Sequence, residues 1–204
     1  FRSHAAAVRA ADIALPTAQQ EVWRYSRIDE FDPVRLRPAK VRTTVTGADA
    51  LTVDDAAVER VLADATEHDV FDALSAALHT TVAVTVPAGR VLDQPVVVTH
   101  HVAGDGLITF PRLVVHAGAD SEFTVVERFE SDADSTAVVV PRVLLHASQA
   151  ARVSYLAVNL LGRSVWQFGH QQATGERDSS TLLATVALGG DYADRKSTRL
   201  NSSH

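Results

Sequence analysis

The sequence contains no cysteine and no methionine, and no apolar run approaches the roughly 18 residues that a membrane-spanning helix needs. Without cysteine, disulfide bonds, thiolate nucleophiles and thiolate metal ligands are excluded from these 204 residues. No apolar segment follows the N-terminus, so a signal peptide is not predicted either. Together these absences predict a cytoplasmic protein with no membrane partner.

Lysine is also scarce, since Lys40 and Lys196 are the only two. The formal net charge of −6 argues against a general nucleic-acid surface, so no nucleic-acid partner is predicted. Hydrophobic residues make up 46% of the chain and charged residues 22%, which predicts a folded protein with a sizeable core. The heavy use of arginine, alanine, valine and aspartate is typical of a GC-rich genome.

The composition changes abruptly after Ala193. Residues 194–204 contain one of the two lysines and one of the two asparagines, and they show no apolar periodicity. They also match one reading frame of a common short-read sequencing adapter. We interpret this segment as foreign sequence rather than a natural polar tail, and we expect it to pack against nothing. On this interpretation the natural chain would continue differently beyond Ala193.

Residues 1–80 are predicted to form a small helical subdomain. Ala5 and Val8 indicate a first helix, and Thr17 with Gln20 has the spacing of a capping box that opens a second. Asp54 or Asp55 is expected to cap a third. The apolar positions of the third and fourth helices are Val58, Val61 and Leu62, then Val70, Phe71, Leu74, Ala77 and Leu78.

Residues 81–193 are predicted to form a β-domain. Valine, threonine and isoleucine dominate short runs that are separated by turn-like clusters, and no helical pattern of useful length interrupts them. The predicted strands are Val82–Val86, Val96–Thr99, Leu113–His116, Phe123–Val126, Val138–Val140, Val143–His146, Val153–Val158, Val165–Phe168 and Leu182–Leu188.

An internal repeat runs through this β-domain. The segment Arg112–Ala117 aligns with Arg142–Ala147, 30 residues later, and hydrophobic character stays in step downstream. Strand–turn–strand units at a fixed period indicate a solenoid, in which each coil covers the apolar face of the previous one. An antiparallel sandwich or jelly roll gives similar short strands, so both architectures stay open at this point.

The histidines do not define a site. His116 and His146 occupy equivalent repeat positions and could share a metal ion, but two ligands are too few for a tight site, so a surface ladder is expected. His100 and His101 are adjacent in a strand and are expected to point to opposite faces. His170 is predicted to lie on a solvated strand face.

Other motifs are also expected to be structural. The acidic segment Glu130, Asp132 and Asp134 lacks the complete ligand set of a calcium loop and is predicted to be a mobile turn. The segment 104–106 lacks the Gly-Lys-Ser/Thr pattern of a phosphate loop and is predicted to be a tight turn. Trp23 with Tyr25 is expected to anchor the helical part on the β-domain. No catalytic, cofactor-binding or metal-binding residue is therefore predicted.

Three stretches carry a family resemblance. They are Pro16–Ser26 with its Trp-Arg-Tyr, Val86–Val96 with its Val-Pro-x-Gly turn, and Val165–Gly190, in which a polar strand leads to an apolar strand ending in Gly-Gly. In this order and at these separations they resemble the SufB/SufD family of iron–sulfur cluster assembly proteins. The compact N-terminal run and the absence of cysteine favour the SufD branch. The alternatives are the SufB branch and a carbohydrate-active β-helix enzyme.

The resemblance implies a right-handed parallel β-helix preceded by helices. It also implies a non-catalytic scaffold that pairs with SufB through the β-helices and binds the ATPase SufC mainly through C-terminal regions. In this family a nascent iron–sulfur cluster forms near the SufB–SufD interface, and this chain is expected to bind no cofactor by itself. The family's cluster-linked histidine lies later in the β-helix than Ala193, so no site residue is transferred. We expect the isolated chain to self-associate and to bind SufC poorly.

Overall fold

The computed structural model describes residues 14–47, 54–66 and 69–201. Within them, the strands run in the order β1 (Arg37–Pro38), β2 (Arg42–Thr46), β3 (Thr80–Val86), β4 (Val96–Val102), β5 (Asp105–Thr109), β6 (Pro111–Ala117), β7 (Glu122–Ser131), β8 (Thr136–Val139), β9 (Arg142–Ala147), β10 (Arg152–Leu160), β11 (Ser164–Gly175), β12 (Ser180–Ala187) and β13 (Tyr192–Asn201). Two α-helices, α1 (Asp55–Ala63) and α2 (Val70–Leu78), lie between β2 and β3.

The strands from β3 onward stack as successive coils. One column of parallel pairs runs through β3, β6, β9 and the second half of β11, and another through β4, β7, β10 and β12. A third runs through β5, β8 and the first half of β11. Such parallel stacking is a β-solenoid, so the sandwich and jelly-roll alternatives are wrong. The right-handed sense stays a prediction, and parallel crossovers usually have it.

The predicted repeat corresponds to one coil. Arg112 pairs with Arg142 and His116 with His146 across β6 and β9. All nine predicted strands are present with shifted ends, whereas β5 was missed because Gly104 and Gly106 suggested a turn. Gly104 does adopt a positive φ of 114°, but the strand begins immediately after it, at Asp105.

The main core lies inside the coils. Alternate residues along each strand point inward, as the strictly alternating burial of β4 and β10 illustrates. The inward positions of β6 and β9 carry Leu113, Val115, Val143 and Leu145, each at most 1% exposed. Because parallel pairing keeps the register, side chains of one kind form columns along the solenoid.

Helix α1 covers the outer side of β6 and β9, and α2 packs on the outer side of β5, β8 and β11. Asp54 caps α1 by accepting a hydrogen bond from the Ala57 amide, which confirms one of the two predicted caps. Val61 packs between Val114 and Leu144 on the outer side of β6 and β9. The helices therefore bury outward-facing aliphatic residues that an uncovered solenoid would expose to water.

The prediction for the N-terminal part is only partly right. The first predicted helix falls in residues 1–13, outside the described residues. The second is wrong: Glu21–Trp23 forms a single 3-10 turn, and the preceding Gln20 makes no side-chain capping hydrogen bond. Two more 3-10 turns follow, and β2 then pairs antiparallel with β4, so this segment also contributes to the sheets. The division into three domains stays a prediction.

Trp23 explains why a 3-10 turn forms there. Its ring is 5% exposed and packs against Phe71 of α2 and Phe168 of β11, at centroid distances of 5.6 and 5.9 Å. This tertiary contact overrides the local helix signal. The anchoring role predicted for Trp23 is confirmed, whereas Tyr25 is 91% exposed and anchors nothing.

The expectation that residues 194–204 pack against nothing is also wrong. Residues 194–201 belong to β13, which pairs in parallel with β11 from Trp166↔Tyr192 to Gly175↔Asn201. The outer edge of β11 presents backbone N–H and C=O groups, which pair with almost any extended segment. Because such pairing does not depend on the side chains, the contact leaves the origin of the segment a prediction. Residues 202–204 lie outside the described part of the chain.

No helix in the described residues is long and apolar enough to cross a membrane.

Candidate functional site

Polar side chains occupy the interior of the solenoid and form a continuous chain along it. His100 on β4, Glu127 on β7 and Tyr155 on β10 all point inward and are at most 1% exposed. A buried polar group is costly unless it is hydrogen-bonded, so the partners of these three side chains decide whether the interior tolerates them. We call the connected set the axial chain; its members are Thr43, His100, Glu127, Tyr155, Asn159, Gln167 and Arg195.

The Glu127 carboxyl group is the centre of the axial chain. One of its oxygens lies 3.0 Å from His100 Nε2, and the other accepts a short hydrogen bond from the Tyr155 hydroxyl. On the far side of the imidazole, Thr43 Oγ1 lies 2.8 Å from His100 Nδ1. With the Nε2–H tautomer, His100 donates to Glu127 and accepts from Thr43, so each group has a complementary partner.

Arg195 closes the other end of the axial chain. Its guanidinium donates to the Tyr155 hydroxyl at 3.0 Å and to Gln167 Oε1 at 3.4 Å. The same guanidinium lies 5.4 Å from the centroid of the Phe129 ring. Asn159 also donates to Gln167 Oε1, at 3.3 Å. The Arg195 guanidinium is thus connected to the buried Glu127 carboxyl group by the Tyr155 hydroxyl. This nearby positive charge offsets part of the cost of burying the carboxyl group.

The pKa of Tyr155 is raised above its ordinary value. Burial is the main cause, and the neighbouring Glu127 adds to it, while Arg195 acts in the opposite direction. The phenol therefore stays protonated and keeps donating to Glu127. Chemically, these contacts can hold protons and orient side chains. The central members are buried, while Gln167 Nε2 and Arg195 Nε have no hydrogen-bond partner among the described residues.

Sequence reasoning missed the axial chain, although a signal was present. In β4 the inward positions read Val96, Val98, His100 and Val102, and in β7 Glu127 lies between the inward residues Val125 and Phe129. A histidine or glutamate at an inward position of an otherwise aliphatic series indicates a buried polar network. The prediction that His100 and His101 face opposite sides is confirmed.

The outer histidine column forms as expected. The rings of His116 and His146 stack in parallel, with centroids 5.7 Å apart and an interplanar angle of 2°. His146 Nε2 also lies 3.3 Å from Glu176, at a groove of about 550 Å³ beside α1. Burial lowers the pKa of His116, and the nearby His146 lowers it further. Among the described residues, no group of three or more His, Cys, Asp or Glu side chains is arranged to hold a metal ion.

One other expectation needs correction. His170 was predicted to be solvated, but its side chain is only 14% exposed and its Nδ1 lies 3.2 Å from the Asp72 carboxylate of α2. For the acidic segment the predicted turn is present, because Asp132 and Asp134 lie in an exposed turn between β7 and β8, while Glu130 lies on β7 and pairs with Arg128. Asp132 in addition contacts His101 of β4, at 2.9 Å. The burial of His170 arises from a partner distant in sequence.

A family model of known proteins matches this chain. The family model described as "SUF system FeS cluster assembly, SufBD core domain" matches residues 99–201, just over half of the chain. The matched range begins within β4 and ends at the last residue of β13, so it covers most of the coils and the axial chain from His100 onward. No curated protein matches the chain.

Proposed function

The chain belongs to the SufBD core domain family of the SUF system, and on that premise we propose that it is a SufD-type scaffold subunit. The coarser conclusion, a part in iron–sulfur cluster assembly, follows from family membership. The finer proposal is a non-catalytic, cytoplasmic subunit of a SufB–SufC–SufD complex, in which the nascent cluster is carried by the complex and not by this chain alone.

The observation that carries the proposal is the absence of cysteine from a SufBD-type solenoid. Sulfur transfer as a persulfide and the binding of iron–sulfur clusters both depend on thiolates. Because these 204 residues contain no thiol, the chain is suited to be a scaffold for a partner subunit that supplies the thiols. The burial of His100, Glu127 and Tyr155 away from solvent agrees with a structural role for the interior.

The outer face of β12 is the surface that fits a partner subunit. Leu182 and Val186 are 58% and 40% exposed, and Leu188 beyond the strand is 72% exposed. In the two preceding coils, the positions in register with Leu182 carry Ser154 and Thr124. At Val186, by contrast, the preceding strand carries Val158. The outer face therefore becomes apolar at the Leu182 position only on β12, and the high exposure of Leu182, Val186 and Leu188 favours a covered surface there.

A co-purification experiment tests the proposal. The tagged chain would be expressed with SufB or, separately, with SufD, and with SufC present in both cases. We expect stable recovery of SufB and none of SufD, because a SufD-type subunit pairs with its paralogue. Selective recovery of SufD would instead assign the chain to the SufB branch, and recovery of neither would contradict the proposal.

Matched variants locate the contact. Leu182→Arg with Val186→Arg places two charges on the outer face of β12 and should abolish SufB recovery. The control is Val22→Arg with Tyr25→Arg, which puts the same two charges on residues that are 67% and 91% exposed in the N-terminal part. Equal loss of SufB with both variants would show that β12 is not the partner surface.

A further inference from the structure

A cavity of about 760 Å³ lies between the N-terminal 3-10 turn, α2 and the outer side of β11 and β13. It is separate from the axial chain, which lies inside the coils. Aromatic rings form part of its wall: Trp23, Phe71 and Phe168, with the last two stacked at a centroid distance of 5.0 Å. A cavity of this size with aromatic walls and a few polar groups is typical of a small-ligand site.

A cation already occupies this aromatic wall. The ammonium nitrogen of Lys196 lies 3.3 Å from the centroid of the Trp23 ring, well within the range of a cation–π interaction. The Lys196 side chain is only 21% exposed, and its ammonium group forms a salt bridge with Asp194 on the same strand, at 3.0 Å. The position of an alkylammonium group in the cavity is therefore visible in the structure itself.

The charges around the cavity favour a cation. Its walls carry the carboxylates of Glu21, Asp69 and Asp72. Glu21 is paired with Arg24 at 2.8 Å and Asp72 with Arg142 at 2.7 Å. Asp69 caps α2 and makes no salt bridge with the residues that the structure describes, so it is the carboxylate left for a cation. Burial raises the pKa of Asp69, and the nearby Asp72 raises it further.

One polar group on the wall lacks a partner. Ser75 of α2 is 1% exposed, and its Oγ makes no hydrogen bond to any residue that the structure describes. A buried hydroxyl without a partner is unusual and costly. An ammonium ligand has three N–H donors and can supply such a partner, in addition to contacting the aromatic rings and the carboxylates.

We propose that this cavity is a binding site for a primary alkylammonium group, and that Lys196 is its occupant within the chain. Trp23 supplies the aromatic face that the Lys196 ammonium contacts. Asp69 supplies negative charge and Ser75 a hydrogen-bond acceptor for an added ligand, because the Lys196 ammonium pairs with Asp194 instead. Lys196, Ser197 and Thr198 of β13 complete the walls. The inference is independent of the proposed function.

Chemical rescue tests the proposal. Lys196→Ala empties the aromatic face, and n-butylammonium, which matches the lysine side chain, is then added to the full chain while thermal unfolding is followed. We expect the midpoint of the variant to rise with amine concentration, because a ligand that binds only the folded state stabilises it. The unsubstituted chain should show a much smaller rise. The neutral isostere n-butanol should have little effect.

Two substitutions identify the walls of the site. Asp69→Asn keeps an N-cap acceptor for α2 but removes the charge, so in the Lys196→Ala background it should weaken n-butylammonium binding several-fold. The matched control is Asp54→Asn, the same change at the cap of α1, which should leave binding unchanged. Trp23→Phe, which retains an aromatic ring, should also weaken binding.

The outcomes separate clearly. No rise of the Lys196→Ala midpoint with n-butylammonium, or an equal rise with n-butanol, would overturn the proposal. So would an equal loss of binding with Asp69→Asn and Asp54→Asn. A second arm uses Nα-acetyl-lysinamide: stronger binding of this probe than of n-butylammonium would identify the natural ligand as a protein lysine, and weaker binding would identify a free amine.

Discussion

The coils from β3 to β11 and the second half of β13 share a backbone register but differ in side-chain pattern. One inward column reads Val84, Val115, Leu145 and Ala173, and its next member on β13 is Arg199. The adjacent polar column contains Thr85, His116, His146 and Thr174, and its next member is Leu200. Apolar and polar positions are therefore exchanged at the end of β13.

The difference shows that strand pairing and side-chain pattern are separate sources of order. Backbone groups at the edge of β11 pair whatever the side chains are, whereas the interior accepts only residues that suit it. The first half of β13 differs from the second, because Arg195 joins the axial chain and Lys196 contacts Trp23. We infer that residues 192–196 anchor the strand. Residues 197–201 are held mainly by backbone pairing, with side-chain hydrogen bonds from Gln171 to Ser197 and between His170 and Thr198.

The largest effect is expected in the inward column. Leu145→Ala should lower the free energy of unfolding by about 2–5 kcal/mol, because Leu145 is 1% exposed and its truncation leaves a cavity. Leu200→Ala is the matched change on β13, where the side chain is 44% exposed, and it should alter stability by less than about 0.5 kcal/mol. Denaturant unfolding of both variants measures the difference, and similar losses would contradict the comparison.

The two arginines of β13 should also differ. Arg195→Gln removes hydrogen bonds to Tyr155 and Gln167, so we expect a loss of about 1–2 kcal/mol. Arg199→Gln changes an exposed side chain and should be nearly neutral. Urea titrations can resolve this difference. A neutral Arg195→Gln would show that the axial chain does not need its guanidinium.

The axial chain predicts an alkaline loss of stability. Since the folded-state pKa of Tyr155 is raised above its ordinary value near 10, its contribution is fully present below about pH 10 and is lost as the pH rises further. Tyr155→Phe should therefore reduce the fall in stability above about pH 10. Tyr25→Phe serves as the control, because that ring is 91% exposed. The prediction fails if both variants keep the alkaline slope of the unsubstituted chain.

A smaller effect is expected in acid from the outer histidine column. The pKa of His116 is lowered from 6.5, so the unfolded chain binds a proton more readily than the folded chain. Stability should be complete above about pH 6.5 and should fall as the pH drops below it. His116→Gln should flatten this slope in denaturant titrations between about pH 5 and 7. An unchanged slope would show that burial of this imidazole has no energetic consequence.

The coils could be predicted from the sequence because their information is local. Alternating β-branched residues give the strands, and the 30-residue repeat gives the correct pairing of His116 with His146. The 3-10 turn at Trp23 could not be predicted, because its cause is contact with Phe168 across the fold. The axial chain was missed for the same reason: its members lie on different coils, and only parallel pairing brings them together.

Native-state hydrogen exchange tests the central claim most directly, namely that the coils are one cooperative core to which the end of β13 is added by backbone pairing. The account predicts that amides of β6, β7, β9 and β10 exchange only through global unfolding, while those of residues 197–201 exchange through local opening with a much lower free energy. Equal protection of residues 197–201 and the coils would contradict it.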